Sequence, residues 1–156
     1  MKKIKYIILF IILPFYSYGQ FENNNLKLTI YPSYGGANAY VIEVKNSVFS
    51  VLEQKTTLNE YGNVILYDTI CFEEKKLKLR EIKRINKHIL VVKQIGDIYN
   101  DKRPFDAWIF NFVINKKEAV IINSSLLKNN DLKDTNKFIK FLIKKSPVKI
   151  KLIHFS

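Results

Sequence analysis

Residues 105–114 carry apolar side chains on both of their alternating faces, with Trp108, Phe110, Phe112 and Ile114 on one and Phe105, Ala107, Ile109 and Val113 on the other. A period-two segment that is apolar on both faces fits a central strand covered from each side. Such a strand requires neighbours along both edges and covering elements above it. With 156 residues the chain has room for one domain that could supply them.

The neighbours are legible as shorter alternating runs. Residues 26–31 read as a half-buried strand, broken by Pro32 to Asn38 with its paired glycines. Residues 39–44 form the next strand, with Tyr40, Ile42 and Val44 on one face. Lys45-Asn46-Ser47 then makes a tight turn into residues 48–53, giving a hairpin. Residues 54–63 are polar, and residues 64–67 are an apolar run whose period fits a strand or a covered loop equally. After residue 114, Asn115-Lys116-Lys117-Glu118 turns the chain into residues 119–122, a second hairpin. Residues 148–152 alternate again and are expected as an edge strand with lysines facing solvent.

Two segments have helical period. In residues 75–93, Leu79, Ile82, Ile85, Ile89 and Val92 recur at three- and four-residue steps opposite Arg80, Lys83, Arg84 and Lys87. The β-branched end of that segment, residues 89–95, also suits an extended conformation. Asp131 or Asp134 caps a second helix in which Thr135, Ile139, Leu142 and Ile143 share a face, and Ser146-Pro147 ends it. The expectation is an α+β domain, a mostly antiparallel sheet with two helices packed on one face, in the order strands, helix, strands, helix, strand. Strand-strand-helix then occurs twice, as a two-fold pseudo-repeat would.

The N-terminus reads as an address. Lys2, Lys3 and Lys5 precede an apolar run over residues 6–15, and Ser17 and Gly19 stand where a small-x-small cleavage site needs them. That is the pattern of a secretory signal peptide over residues 1–19, too short for a membrane-spanning helix. The expected mature domain is residues 20–156, without a stable membrane anchor, in the periplasm or secreted. Cutting before Gln20 removes three of the 26 basic residues against 14 acidic ones. Only Arg80, Arg84 and Arg103 are Arg, and the rest are Lys. Nucleic-acid sites favour Arg for bidentate contacts, and export removes intracellular nucleic acid, so no nucleic-acid partner is expected. The charge fits solubility or an anionic surface.

The inventory of reactive groups is short. Cys71 is the only thiol, flanked by Ile70 and Phe72 as a buried, inert cysteine would be; His88 and His154 are the only imidazoles, far apart in sequence. Asp97, Asn100, Asp101 and Asp106 gather oxygen ligands, but Ile98 and Tyr99 occupy early positions of any calcium loop, so turn chemistry fits better. Gly35-Gly36 precedes a strand and not a helix, which excludes a phosphate-cradling loop. No metal and no cofactor are expected, and the residues argue against an enzyme. A hydrolase using two of the acids is the exception that spacing alone leaves open.

The run Pro32-Ser33-Tyr34-Gly35-Gly36, followed by the Tyr40-led hairpin, resembles small uncharacterised secreted bacterial domains that open with a Pro/Gly loop and a tyrosine-led hairpin. The resemblance implies the same α+β layout and no particular activity. Asp68-Thr69-Ile70 resembles an acceptor for O-linked glycosylation in some exporting bacteria. Aromatics with polar tips suit gripping another molecule, so the expected binding surface is Tyr34, Gly35, Gly36, Tyr40 and Trp108. The expected function is non-enzymatic protein binding, in the manner of an inhibitor or immunity protein, with cationic surface or polysaccharide binding as the alternative. Mass spectrometry of the exported protein should find Gln20 at its N-terminus.

Overall fold

The computed structural model describes residues 25–34, 36–95 and 107–152; residues 1–19, expected as a leader, Gly35, the loop of Asp97, Asn100, Asp101 and Asp106, and His154 lie outside the described residues. Six strands, β1 (Leu26–Pro32), β2 (Ala39–Lys45), β3 (Val48–Leu58), β4 (Val64–Lys76), β5 (Trp108–Ile114) and β6 (Lys117–Asn123), form one antiparallel sheet ordered β4-β3-β2-β1-β5-β6. Helix α1 (Leu79–Ile95) follows β4, and two 3-10 turns lead from β6 to helix α2 (Lys133–Lys145). The chain is therefore α+β.

The core follows from register. On β1, Leu26, Leu28 and Ile30 stand opposite Val44, Ile42 and Tyr40 of β2. On its other side they stand opposite Ile114, Phe112 and Phe110 of β5. All of these are buried in one cluster with Ile85, Ile89 and Val92 of α1 and Phe138, Ile139 and Leu142 of α2, so both helices cover the same sheet face. The Phe138 ring lies 6.3 Å from Phe112 and 5.0 Å from His88, stacked on each. On the opposite face Val41 and Ile109 are buried too, but outside that cluster.

The hairpin turns at Asn46-Ser47 and Asn115-Lys116 hold both central residues at positive φ, 51° and 65° in the first and 52° and 66° in the second. Paired positive φ is what a two-residue hairpin between right-twisted strands requires.

Several expectations are corrected. Residues 54–58 continue β3, and β4 runs to Lys76, so residues 75 and 76 are strand and the helix starts at Leu79. Pairing with β3 overrides the helical pattern there, because Lys75 stands opposite Phe49 and its Nζ lies 5.3 Å from that ring's centroid. The helix begins where Glu81 reaches back to accept the Lys78 backbone N–H at 3.0 Å, half of a capping box. Leu79, expected inward, is 60% exposed. Residues 89–95 are helical, since Ile89 and Val92 fill the core at helical spacing. Residues 148–152 are not a strand; Val148, Ile150 and Leu152 pack against the core without joining the sheet. Among the described residues four strands precede α1 and two lie between α1 and α2, which is not a simple strand-strand-helix repeat.

The end of α2 is tied down twice. Lys75 Nζ donates to the Lys145 carbonyl, and Lys145 Nζ pairs with Glu81 at 2.7 Å. The hydrogen bond from Lys145, with the Lys78 backbone second, holds the Glu81 carboxyl below its ordinary range. A depressed carboxyl stabilises the fold above its unfolded pKa and loses that contribution as pH falls through the folded value. Glu81→Gln should therefore lower stability at neutral pH and flatten its decline below about pH 4.5, as urea titrations across pH can show. Phe112→Ala should cost about 3–5 kcal/mol by the same measurement, and Leu79→Ala within about 0.5 kcal/mol.

Candidate functional site

β3 and β4 are longer than the strands beside them. The last β2–β3 pair is Ala39 with Gln54, whereas β3 continues through Lys55 to Leu58 with β4 along one side. Residues 55–67 thus form a two-stranded arm projecting from the sheet. Isolated two-stranded ribbons are marginal in water, so this one needs bracing.

The bracing comes from the loop between β1 and β2. Thr56, buried at the arm's root, donates its hydroxyl to the Ala37 carbonyl at 2.5 Å. Asn38 Nδ2 donates to Glu53 Oε1 at 2.8 Å. The tip is ordered by its own bonds. Asn59 Oδ1 accepts the backbone N–H groups of Tyr61 at 3.0 Å and Asn63 at 2.8 Å, and the Gly62 N–H donates to the Asn59 carbonyl at 2.9 Å. Gly62 has φ 73°, a conformation that L side chains adopt at a cost.

Among the described residues, this arm and its continuing edge hold most of the large apolar side chains left in water. Tyr61 is 79% exposed at the tip, and Leu58, Ile65 and Tyr67 are exposed behind it. Further along β4 Ile70 and Phe72 are exposed as well; Phe72 stands opposite Leu52, whereas Tyr67 and Ile65 stand opposite Lys55 and Thr57, so alternation places Phe72 on the other face of the sheet. The same hairpin carries exposed acids, Glu60 in the tip turn and Asp68, Glu73 and Glu74 along β4, with Asp68 3.7 Å from Lys55. The β4 backbone is a poor template for an added strand. Register shifts on either side of Gln54 leave Asp68 and Ile70 without opposite residues, as bulges that twist an edge away from pairing do. Contact here must come through side chains.

The five residues singled out by sequence divide differently. Tyr34 is half-buried on its loop, Gly36 is exposed at φ 103°, and Gly35 lies outside the described residues. Tyr40 and Trp108 are 3% and 5% exposed, so their rings belong to the core and give no area to a partner, a correction to that expected surface. Period two places both on the β1–β2–β5 core face, and that signal outweighs their polar tips. The Tyr40 hydroxyl accepts the Lys151 N–H at 3.3 Å, fastening the C-terminal segment. Burial pushes its pKa up, the Lys151 bond opposes that, and the Glu53 carboxylate adds to it. The arm was missed because residues 54–63 look polar. The available signal was the apolar run over residues 64–67, which across the turn faces one apolar residue, Leu58, and otherwise Thr57, Thr56 and Lys55.

Other groups are dispersed. Cys71, half-buried on β4, stands opposite Glu53. His88 stacks on Phe138 between the helices, and burial, then Arg84, lowers its pKa. Among the described residues no three His, Cys, Asp or Glu side chains gather as a metal site would require. A cleft of about 190 Å³ at the sheet end, floored by Leu26, Val44 and Val113 and rimmed by Lys27, Lys45 and Lys116, is shallower than ligand-burying pockets. Compared with known proteins, the chain matches no family model, and no curated protein or solved structure is significantly similar to it.

Thr56→Val removes the arm's tether while keeping its shape. Amide hydrogen exchange over residues 55–67 should quicken, with global stability falling by no more than about 1.5 kcal/mol.

Proposed function

We propose that this chain is an exported, non-enzymatic protein-binding domain, inhibitor- or immunity-like in its mode of action, that engages its partner through the β3–β4 arm. The supporting observation is the braced arm itself, with Tyr61 79% exposed at a tip held in one conformation by Asn59. Holding an aromatic side chain in water on an ordered support stabilises little within the chain. It does lower the entropy lost on binding, which is how preorganised contact residues gain affinity. The exposed acids of the same hairpin, Glu60, Asp68, Glu73 and Glu74, favour a partner with cationic groups around an apolar cleft. The Pro/Gly loop takes part as the brace, through Ala37 and Asn38.

A benzophenone-bearing amino acid at position 61 should crosslink one discrete protein in the compartment where the chain resides, and the same probe at Asp131 should not. Tyr61→Ser with Ile65→Ser should weaken that complex by about thirtyfold or more, the scale of a hot-spot loss. Equal crosslinking from both positions, or unchanged affinity in the double variant, would remove the arm from the reading.

A further inference from the structure

The arm leaves the strongest charge feature of the molecule unused. Helices α1 and α2 carry ten Lys and Arg residues against two acids, Glu81 and Asp134. Both acids are engaged, Glu81 by Lys145 at 2.7 Å and Asp134 by Lys137 at 2.9 Å. On α2, Lys133, Lys137, Lys140 and Lys144 recur at four-, three- and four-residue steps and are all exposed, so they form one row. At 1.5 Å per residue that row is about 17 Å long. On α1, Arg80, Lys83, Arg84 and Lys87 make a second exposed row.

The rows lie side by side. Glu81 meets Lys145, the Arg84 guanidinium lies 4.3 Å from the centroid of the Phe141 ring, and His88 stacks on Phe138. The start of α1 therefore adjoins the end of α2, in an antiparallel pair. Two adjacent helices present a broad face about 20 Å across, not a groove. Leu79 and Leu90, 60% and 55% exposed and three turns apart, flank the α1 row on the same side as Lys83.

We infer that this helix face docks on an anionic lipid surface. A planar array of headgroup charge complements two coplanar rows of cations, whereas a linear soluble polymer engages one row and gains nothing from exposed leucines. Leucines beside lysines suit the boundary between headgroups and acyl chains. Six of the eight cations are Lys, which binds such charge as a point, without the fork geometry of Arg. No helix of the described residues is long and apolar enough to cross a membrane, so the contact is peripheral.

Each lysine held at an anionic bilayer is worth about fivefold in partitioning. The test is sedimentation with vesicles of pure phosphatidylcholine and of phosphatidylcholine with roughly a third phosphatidylglycerol, at about 0.1 M and about 0.5 M salt. The protein should bind the anionic vesicles alone and lose binding as salt rises. Lys133, Lys140 and Lys144→Gln should weaken binding about a hundredfold, while Lys45, Lys55 and Lys76→Gln, off the helix face, should leave it nearly unchanged. Every variant keeps the same N-terminus, so the leader's lysines contribute equally throughout. If the α2 variant loses its circular dichroism or melting transition, Arg80, Lys83 and Lys87→Gln on α1 provides the same comparison. Absence of vesicle binding, equal loss in the helix-face and sheet variants, or retention on heparin without vesicle binding would overturn the inference, the last by pointing to a soluble polyanion.

Discussion

The pairing of β1 with β5 is the contact on which the rest of the structure depends. It joins residues more than seventy positions apart, from Leu26 with Ile114 to Pro32 with Trp108, and so closes the first four strands into one sheet with the last hairpin. Closing so long a loop costs entropy that no local hydrogen bond offsets. What offsets it is the apolar face completed at that seam, where Leu28 faces Ile42 on one side and Phe112 on the other, and Phe138 closes over Phe112. The seam is also pinned at its end: the Ser33 N–H donates to the Ala107 carbonyl at 2.8 Å, and the Trp108 N–H donates to Ser124 Oγ at 3.0 Å. Both helices rest on this face, and the arm is an extension of strands whose inner halves it holds in place.

Much of that centre was readable because burial on a sheet imposes a period of two that few other forces disturb. The strand at residues 108–114 was legible from aromatic alternation, and so was the place of both hairpin turns, where Asn tolerates positive φ, although the second turn is only Asn115-Lys116 and β6 begins at Lys117, two residues before the expected start. The core-facing half of α1 was legible from Ile82, Ile85, Ile89 and Val92. The elements misread share one cause: their state is set by a neighbour distant in sequence. Residues 68–76 are strand because β3 lies beside them, although Glu73 to Lys76 taken alone suit a helix start. Residues 148–152 alternate like a strand, yet Tyr40 and the core hold them without a ladder partner. The candidate site fell into the same gap. Tyr40 and Trp108 were visible as aromatics, but only register shows that they face inward, and only the mismatch in strand length exposes Tyr61.

Both sheet edges are bulged, at Asp68 and Ile70 on β4 and opposite Phe112–Val113 on β6. Bulges discourage edge-to-edge association, and their presence on each side means the fold resists non-specific strand addition. The apolar exposure on the arm persists despite that protection. Leu58, Ile65 and Tyr67 lie beyond the last β2 residue, on a ribbon that no helix covers. A chain that blunts its edges yet keeps an apolar ribbon has separated two problems that often coincide: backbone stickiness is suppressed while side-chain contact is retained.

Charge follows the same division of surfaces. The hairpin from β3 through β4 carries five acids against three lysines, while the helices carry the large cationic excess. The two regions meet at Lys75, which leaves the β4 edge, lies over Phe49 and donates to the Lys145 carbonyl at the end of α2. There it meets the negative end of the helix dipole, where a cation is favourable and a carboxylate would be repelled. Lys145 in turn reaches Glu81, the acid that starts α1. A single relay of alternating charge, Lys75 to the α2 terminus to Glu81, thus couples the strand that bears the arm to both helices that bear the cations. Net charge alone would have suggested diffuse repulsion across the molecule. Its arrangement instead concentrates repulsion on one outer face, where a counter-charged surface can relieve it, and uses attraction at the interior seam between layers.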